Sequence, residues 1–530
     1  MRCLQGVGNW DPAAALEYHE ATKHSYVSVR MPGRGLDWEN FPYPFKVYRD
    51  APKVELPGSF PSPAPSVLEA LGGVVPSTGR ECELRLVAEL LFYSAGITRI
   101  KDYGWERVYF RAAPATGNLH ETELYLVVGG GGELEPGVYH FDPCEFSLSQ
   151  LRRGDYRERL ARSTFSPEVR DSGLSIVLSS VAWRNAWKYG PRSYRHWFWD
   201  GGALCANLLA VSRAEGLEPQ VLMGFVDDEV NALIGAEPPR EAAIAVVVLK
   251  GIESSPPDPS PPTDPIPYRP MPYSRREVQY REIAEAHASS SLRDADEVAI
   301  WREGVTRLRP TGDLNPSARS GLWGDLRPLR LGEAILLRGS TRRFSRTSIR
   351  GDVLRAVTWA MSTPIEADFI PRGWPTLLER FAIVNAVEGL DPGSYRHQLS
   401  SCELRPLKTG NFRRVAGYLC LEQDLGSDAS VVFFLMSRLG EVLGHLGNRG
   451  YRAVQFEAGI RVGLAYLFAY SMGVGATGLT FYDDDVREFF APASDGMENM
   501  MVVALGNPSY RSRPGRVHVR ECRHPAVRGA

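Results

Sequence analysis

The sequence predicts an α+β fold laid down twice, as two similar halves of one chain packed into an intramolecular pseudo-dimer. Three observations carry this reading. Blocks of sequence recur at a near-constant offset. A proline-rich stretch divides the 530 residues almost at the middle. Each half presents the same order of β-rich runs and one long apolar helix.

The offset comes from three blocks. ELEPGVYHFDPCEFSLSQL at 133–151 matches EGLDPGSYRHQLSSCELRPL at 388–407, so Gly137 answers to Gly393 and Tyr139 to Tyr395. RSYRHWFWDGGALCANLLAV from Arg192 matches RGYRAVQFEAGIRVGLAYLF from Arg449, and VDDEV from Val226 matches YDDDV from Tyr482. The interval is that of a whole domain, which argues for duplication and excludes a solenoid, whose period is ~20–50 residues.

Residues 253–276 carry nine prolines between Pro256 and Pro272. Proline fixes φ and lacks an amide donor, so this stretch joins no helix or central strand and predicts a semi-rigid extended linker. The halves are then 1–252 and 277–530. Within them, TELYLVVG (122–129) and ERFAIVNAV (379–387) read as strands, and the Pro-Gly turns before Val138 and Ser394 start second strands. The runs Arg192–Arg213 and Arg449–Met472 are apolar nearly all round, as suits a helix buried between domains. AAIAVVVL (242–249) and NMMVVALG (499–506) close each half as central strands.

The chain is 43% hydrophobic and 10% aromatic, enough for a large core, and its 61 basic and 63 acidic residues leave a net charge of −2. That balance gives nucleic-acid binding no electrostatic support. No apolar run reaches the ~18–20 residues of a membrane span, and the N-terminus has no signal-peptide layout, so a cytoplasmic protein is expected. The seven cysteines are scattered and form no CxxC pair, so buried or free thiols are expected and a disulfide framework is not. No metal site is expected. His19 and His24 of HEATKH stand at i, i+5, which breaks the i, i+4 geometry of a zinc-binding helix face. GGGGE at 129–133 opens no helix and reads as a loop rather than a dinucleotide fingerprint. Asp227 and Asp483 stand at one repeat position and read as helix caps. Trp183, Trp187, Trp197 and Trp199 suit core or interface packing better than a pocket.

With these blocks in place, the sequence resembles the nitroreductase superfamily, and within it the tandem SagB-type dehydrogenases, which include azoline oxidases of ribosomal peptide maturation. YHEATKHSY (18–26), PATGNLHETELYLV, PGVYHFDP, WKYGPRSYR and RGYR…EAG carry the resemblance, which covers about 16–250 and 280–515. It implies an FMN-dependent oxidoreductase with flavin bound at the interface of two units.

RGSTRRF at 338–344 resembles the family's phosphate motif, with Arg338, Ser340 and Arg342 at the matching positions. A phosphate dianion needs several charge-assisted donors, and these residues are expected to converge at a helix start, where amides add more. A solvated arginine cluster is the plainer alternative. A further basic residue after the last strand is implied, for which Arg511 and Arg513 are the candidates. The first half has no such motif at 72–87. The isoalloxazine loop shows the opposite asymmetry. Pro114, Ala115, Thr116, Gly117 and Asn118 match it in the first half, whereas the second half reads Pro371-Arg372-Gly373-Trp374-Pro375. Gly475, Ala476, Thr477 and Gly478 match the small-residue turn beneath the ring. The two losses are complementary, so a single composite site and one FMN per chain are expected.

The resemblance places the azoline oxidases' catalytic Lys-Tyr pair at Lys188 and Tyr189; the second half has His445 and Leu446 there. A base within hydrogen-bond reach of the departing proton is what such an oxidation needs, and desolvation would make lysine one. A surface lysine beside a packing aromatic is the alternative. The expected substrate is an azoline or other heterocycle on a peptide or small natural product, with hydride passing to flavin N5. Two other readings stay open, an NAD(P)H-dependent nitroreductase-like reductase and a flavin-free scaffold for a peptide-modifying partner enzyme. A monomer and a homodimer are both compatible with a duplication that already builds the two-unit interface.

Overall fold

Two antiparallel sheets of the same strand order organise the molecule. The structure is a computed structural model and describes residues 8–31, 35–72, 79–104, 106–308, 326–374 and 376–524. Its strands are β1 (Lys53–Glu55), β2 (Ile97–Asp102), β3 (Arg107–Arg111), β4 (Thr122–Val128), β5 (Gly137–Asp142), β6 (Ser147–Arg153), β7 (Leu174–Val181), β8 (Glu218–Leu222) and β9 (Glu241–Lys250) in the first half. The second half has β10 (Glu379–Val384), β11 (Gly393–Gln398), β12 (Glu403–Thr409), β13 (Val431–Ser437), β14 (Gly475–Leu479) and β15 (Glu498–Gly506). The first sheet runs β1-β6-β5-β4-β7-β9-β8 and the second β12-β11-β10-β13-β15-β14, so without β1 the two orders coincide. The hairpin β2–β3 stands apart from both.

The correspondence extends to register. Tyr139 pairs with Leu126, and Tyr395 with Ala382, each beside a register shift in its hairpin. Each tyrosine then donates its hydroxyl to the carbonyl four residues earlier, Glu135 (2.7 Å) and Asp391 (2.6 Å). The repeated Pro-Gly-x-Tyr therefore does one structural job twice.

The two long apolar runs are helices Ser193–Ala214 and Arg449–Ser471, and they pack against each other at the centre of the molecule. Glycine makes the crossing possible. A Cβ on Gly202 would lie 2.3 Å from the Phe456 carbonyl oxygen, and one on Gly459 would lie 2.4 Å from that of Trp199. The backbones touch where side chains would separate them.

The aspartates expected to cap helices do something else. Val226 and Tyr482 occupy the cap positions, and Asp227 and Asp483 each bind two arginines of the core helix of the opposite half. Arg192 (3.0 Å) and Arg195 (2.7 Å) meet Asp483; Arg449 (2.5 Å) and Arg452 (2.8 Å) meet Asp227. The reason is burial: all six groups are nearly or fully enclosed, where a carboxylate needs a charged partner more than a helix needs a cap. Burial alone would raise Asp483, yet Arg192 and Arg195 hold it far below the usual carboxylate range. Reciprocal pairing of this kind is the signature of an isologous interface, here closed within one chain.

Each half also lends its leading segment to the other. Ala15 donates its amide to Asn448 (2.9 Å) and His24 donates its amide to Asp483, while Leu292 does the same for Asp227 (2.9 Å). Residues 253–276 form neither helix nor strand, and they lie along the first half: the Ser255 amide donates to Gly130, and the Met271 amide to Val47. After β15 the chain returns to the first half as well: Gly515 still donates its amide to Leu336 of the second half, and then Arg516 and His518 donate theirs to Thr98 and Ile97 of the first.

Cys522 ends that return in a disulfide with Cys144, contrary to the expectation of thiols only. A sequence separation of 378 hides such a pairing from any local spacing rule. Cys82, Cys205, Cys402 and Cys420 are free and buried, and Cys3 lies outside the described residues. Among the described residues, no helix is long and apolar enough to cross a membrane.

Candidate active site at the junction of the halves

The site forms where a first-half loop meets a second-half loop. After β3 the chain turns through Pro114–Asn118, with a short 3-10 turn at Thr116–Asn118 and left-handed backbone at Gly117 (φ 65°), Asn118 (φ 60°) and His120 (φ 50°). Gly117 is required here: a Cβ would sit 2.9 Å from the hydroxyl of Tyr189. The loop is anchored from beneath by the core helix. Thr116 donates its amide and its hydroxyl to the two carboxylate oxygens of Asp200, both at 2.7 Å. Asn185 donates to the Thr116 carbonyl (3.3 Å) and to Glu121 (3.0 Å), and its amide oxygen lies 2.6 Å from His196 Nδ1. His196 meets the Tyr189 ring edge-on at 4.8 Å, which closes a circuit of contacts around the loop. A small cavity lined by Pro114, Ala115, His120, Thr122, Asp200 and Leu204 lies under it.

From the other half comes 338–344. It is not a helix start: it follows the C-terminus of the helix Leu331–Leu337 in extended form, and the next helix begins only at Gly351. The Arg338 guanidinium is buried and donates to the carbonyls of Ala112 (2.8 Å), Arg111 (2.6 Å) and Gly339 (3.3 Å). It thus ties the second-half loop to the strand end that launches Pro114–Asn118. Ser340 Oγ lies 3.4 Å from Tyr466 Oη, and Thr341 Oγ1 lies 3.0 Å from Tyr470 Oη. Arg342 is exposed, with its amide donated to Tyr510 Oη (3.0 Å).

Gly475, Ala476, Thr477 and Gly478 form the edge strand β14 rather than a turn; the turn precedes them at Gly473 (φ 74°). Small residues are needed for a different reason. The Thr341 amide donates to the Ala476 carbonyl (2.9 Å), and a Cβ on Gly475 would lie 2.2 Å from Thr341 Oγ1. Gly478 donates its amide to Tyr466 Oη (2.6 Å). Arg511 and Arg513 are exposed on the returning tail just after Tyr510, and the Arg513 carbonyl accepts from Arg99.

Tyr189 ends the helix Ala182–Tyr189. Burial, reinforced by Asp200 and Glu121, pushes its hydroxyl up to about 12, while Arg342 pulls the other way. Arg342 and Tyr189 thus share one electrostatic neighbourhood from opposite halves. Lys188 is exposed, with its ammonium 5.2 Å from the Tyr189 ring centroid, so it is not the desolvated lysine that sequence reasoning had in view.

The sequence-predicted residues of both halves are therefore brought together by Arg338, Thr341 and Tyr510. Sequence reasoning missed Glu121, Asn185, His196 and Asp200. The signal for Asp200 was present, a lone carboxylate in an apolar helix run, WFWDGG. In the second half the equivalent loop, of which Pro375 lies outside the described residues, has neither contact. Glu457 there is ion-paired with Arg461 (2.8 Å) and accepts the Leu377 amide (2.8 Å). Residues 73–78, part of the first-half stretch 72–87 that lacks the phosphate motif, also lie outside the described residues.

No family model matches the chain. A solved structure from Anabaena variabilis, of a protein assigned to the nitroreductases, superposes with a TM-score of 0.73 at 27% identity, covering 93% of this chain and 99% of that one. The trifolitoxin-processing protein TfxB of Rhizobium leguminosarum is 26% identical over 215 residues, which span 38% of this chain and 58% of TfxB. A Methanocaldococcus jannaschii protein named as a nitroreductase is 24% identical over 152 residues, 28% of this chain and 73% of that protein. Along nearly its whole length the chain therefore has the fold of the nitroreductases, and it is similar in sequence to these two relatives.

Proposed function

We propose that the chain is an FMN-dependent oxidoreductase that binds a single FMN at the junction and oxidises a heterocycle, such as an azoline, on a peptide or natural product. The observation that carries this is Arg338, which joins the second-half basic loop to the first-half loop Pro114–Asn118. The residues present fit the group. Gly117 lets the loop and the Tyr189 ring come together, since a Cβ there would lie 2.9 Å from the Tyr189 hydroxyl, and the small residues Ala115 and Gly117 with their backbone amides suit close approach to a flat ring. Arg342, Arg511 and Arg513 are exposed cations on the two segments tied to that loop, suited to a phosphate dianion. When bound, FMN would supply the hydride acceptor.

The chain's own residues would orient and move protons. Tyr189, half-buried and kept protonated across the physiological range, packs against Gly117 and can donate a hydrogen bond beside the loop. Lys188, exposed at the same helix end, would serve as the base for the substrate proton once bound substrate shields it from water. The toxin-processing relative TfxB supports a modified peptide as substrate and a peptide-modifying enzyme as partner. We place the protein in the cytoplasm.

The test is flavin stoichiometry of the purified protein, from its visible spectrum and the FMN released on denaturation. One FMN per chain is expected. Two would mean that the second junction also binds, and none after soaking with excess would leave a fold kept for scaffolding. Rapid bleaching by NAD(P)H without substrate would favour a reductase instead.

A further inference from the structure

The densest unexplained chemistry lies beneath the candidate loop. Glu121 is fully buried and Asp200 nearly so, and their carboxyl groups lie within hydrogen-bond reach of each other. Asp200 is satisfied by Thr116 through both oxygens. Glu121 accepts from Asn185 through Oε2, but its Oε1 is buried with no donor to satisfy it. An ionised carboxylate in that position would be doubly costly, since it is unpaired on one oxygen and set against a second carboxylate. A protonated carboxyl removes both costs, because its O–H is itself a donor.

The surroundings offer no compensating cation. His120 and His196 are kept neutral by burial and by neighbouring arginines. Arg111 and Arg338 are turned to the carbonyls of Pro44 and of Ala112, Arg111 and Gly339, and Arg184 is paired with Glu123. Tyr189 packs on the loop at Gly117, and exposed Arg342 acts on the Tyr189 hydroxyl from the solvent side. Among the described residues, neither Glu121 nor Asp200 has an ion-pair partner.

We propose that Glu121 and Asp200 share one buried proton, carried by Glu121 and donated to Asp200, and that this pair is the positioning element that holds the Pro114–Asn118 loop against Tyr189. Asp200 stays an acceptor for both Thr116 donors only because Glu121 brings the proton. No bond to carbon is made or broken, and the proton stays within the pair. The role at a flavin rests on the function proposed above; the shared proton does not.

The test uses the full chain stripped of flavin, so that failure of the flavin reading leaves it intact. Infrared spectra at neutral pH should show the carbonyl stretch of a protonated carboxylic acid in a water-shielded site. Glu121→Gln should lose its share of that band and keep the loop, since the amide can still donate to Asp200. Asp200→Asn should speed exchange of the Thr116 amide by ~10-fold or more, the loss of one bond to a charged acceptor. Glu89, buried and raised to about 8, adds an acid band of its own, so the difference spectrum decides: no loss of acid carbonyl intensity in Glu121→Gln, or no acid band at all in the unmodified protein, would overturn the shared proton. Unchanged Thr116 exchange in Asp200→Asn would overturn the positioning role. Should Asp200→Asn fail to fold, the band in the unmodified protein and its fate in Glu121→Gln still decide.

Discussion

Asp200 and Glu457 stand at equivalent places in the two core helices, and they have been put to opposite uses. Asp200 holds a loop of small residues through two hydrogen bonds and faces a second acid, with no arginine assigned to it. Glu457 is closed off by Arg461 one helical turn away, whose guanidinium also donates to the Thr363 carbonyl (2.6 Å). Nearby Arg380 donates to Met361 (2.6 Å) and lies 3.2 Å from His397 Nδ1. An acid that is neutralised and packed contributes to the fold alone, whereas one left without a cation keeps hydrogen-bonding capacity for something else. Duplication supplied two copies of the position, and only one retains the features of a site.

The largest effect should come from breaking the closed copy. Arg461→Leu leaves Glu457 buried without its counter-ion, and such a change costs ~3–5 kcal/mol. We expect the denaturant midpoint to fall accordingly while flavin content stays the same. A variant that unfolds no earlier would show that Glu457 needs no partner, and the contrast with Asp200 would lose its basis.

The duplication that frames this contrast was visible in the sequence, the use of Asp200 was not, and what was missed has definite physical causes. The repeat, the core helices and the strand pairs were legible because hydrophobic periodicity and the Pro-Gly-x-Tyr hairpins are local signals. The cross-chain role of Asp227 and Asp483 was not, because a buried aspartate and a capping aspartate look alike until its partners, more than 200 residues away, are in place. The same holds for RGSTRRF, whose motif was readable but whose first arginine turned out to clamp the other half. Gly475 was recognised as a position that must be small, but the neighbour that demands it, Thr341, lies 134 residues back in the chain. Cys144 and Cys522 carried no spacing signal at all.

The open copy should reveal itself by pH. Burial raises Asp200 to about 6, so between its unfolded value near 3.8 and about 6 the folded state binds the extra proton. Stability therefore falls as pH rises through that window, by ~3 kcal/mol at most. Asp200→Asn should reduce this slope in thermal melts from pH 4 to 7 without abolishing it, because Glu121, also raised by burial, binds an extra proton of its own over the same range. Glu123 behaves in the opposite sense: burial would raise it, but Arg184 holds it at about 2, so its stabilisation is present above the usual carboxylate range and lost as pH falls through about 2. The acid limb should survive in Asp200→Asn and the upper limb should weaken; if both limbs change together, Glu123 and Asp200 do not act separately.

Arg338→Ala tests whether the two loops form one site. Removing the guanidinium frees the Ala112 and Arg111 carbonyls and releases the first-half loop from the second, with ~1.5–3 kcal/mol lost from flavin binding, or ~10–100-fold in Kd. Fluorescence titration with FMN reads this directly. Arg342→Ala should weaken binding in the same range by losing an exposed cation, with little change in melting temperature. Equal affinity in both variants would remove 338–344 from the site.

The smallest effect on the fold, and the sharpest on function, is expected from comparing Lys188 with its repeat counterpart His445. Lys188 is exposed and touches the structure mainly through the Tyr189 ring, a contact worth ~0.5–1 kcal/mol at a surface. Lys188→Ala should therefore leave melting and flavin content nearly unchanged. If the lysine takes the substrate proton, turnover should drop ~100-fold or more, the usual contribution of a positioned base. His445 sits at the matching helix end, but its neighbour Leu446 is fully buried where Tyr189 reaches the loop. His445→Ala should then affect neither turnover nor flavin. A loss of activity in His445→Ala as large as that in Lys188→Ala would place chemistry at the closed copy, and the division of labour between the halves would have to be redrawn.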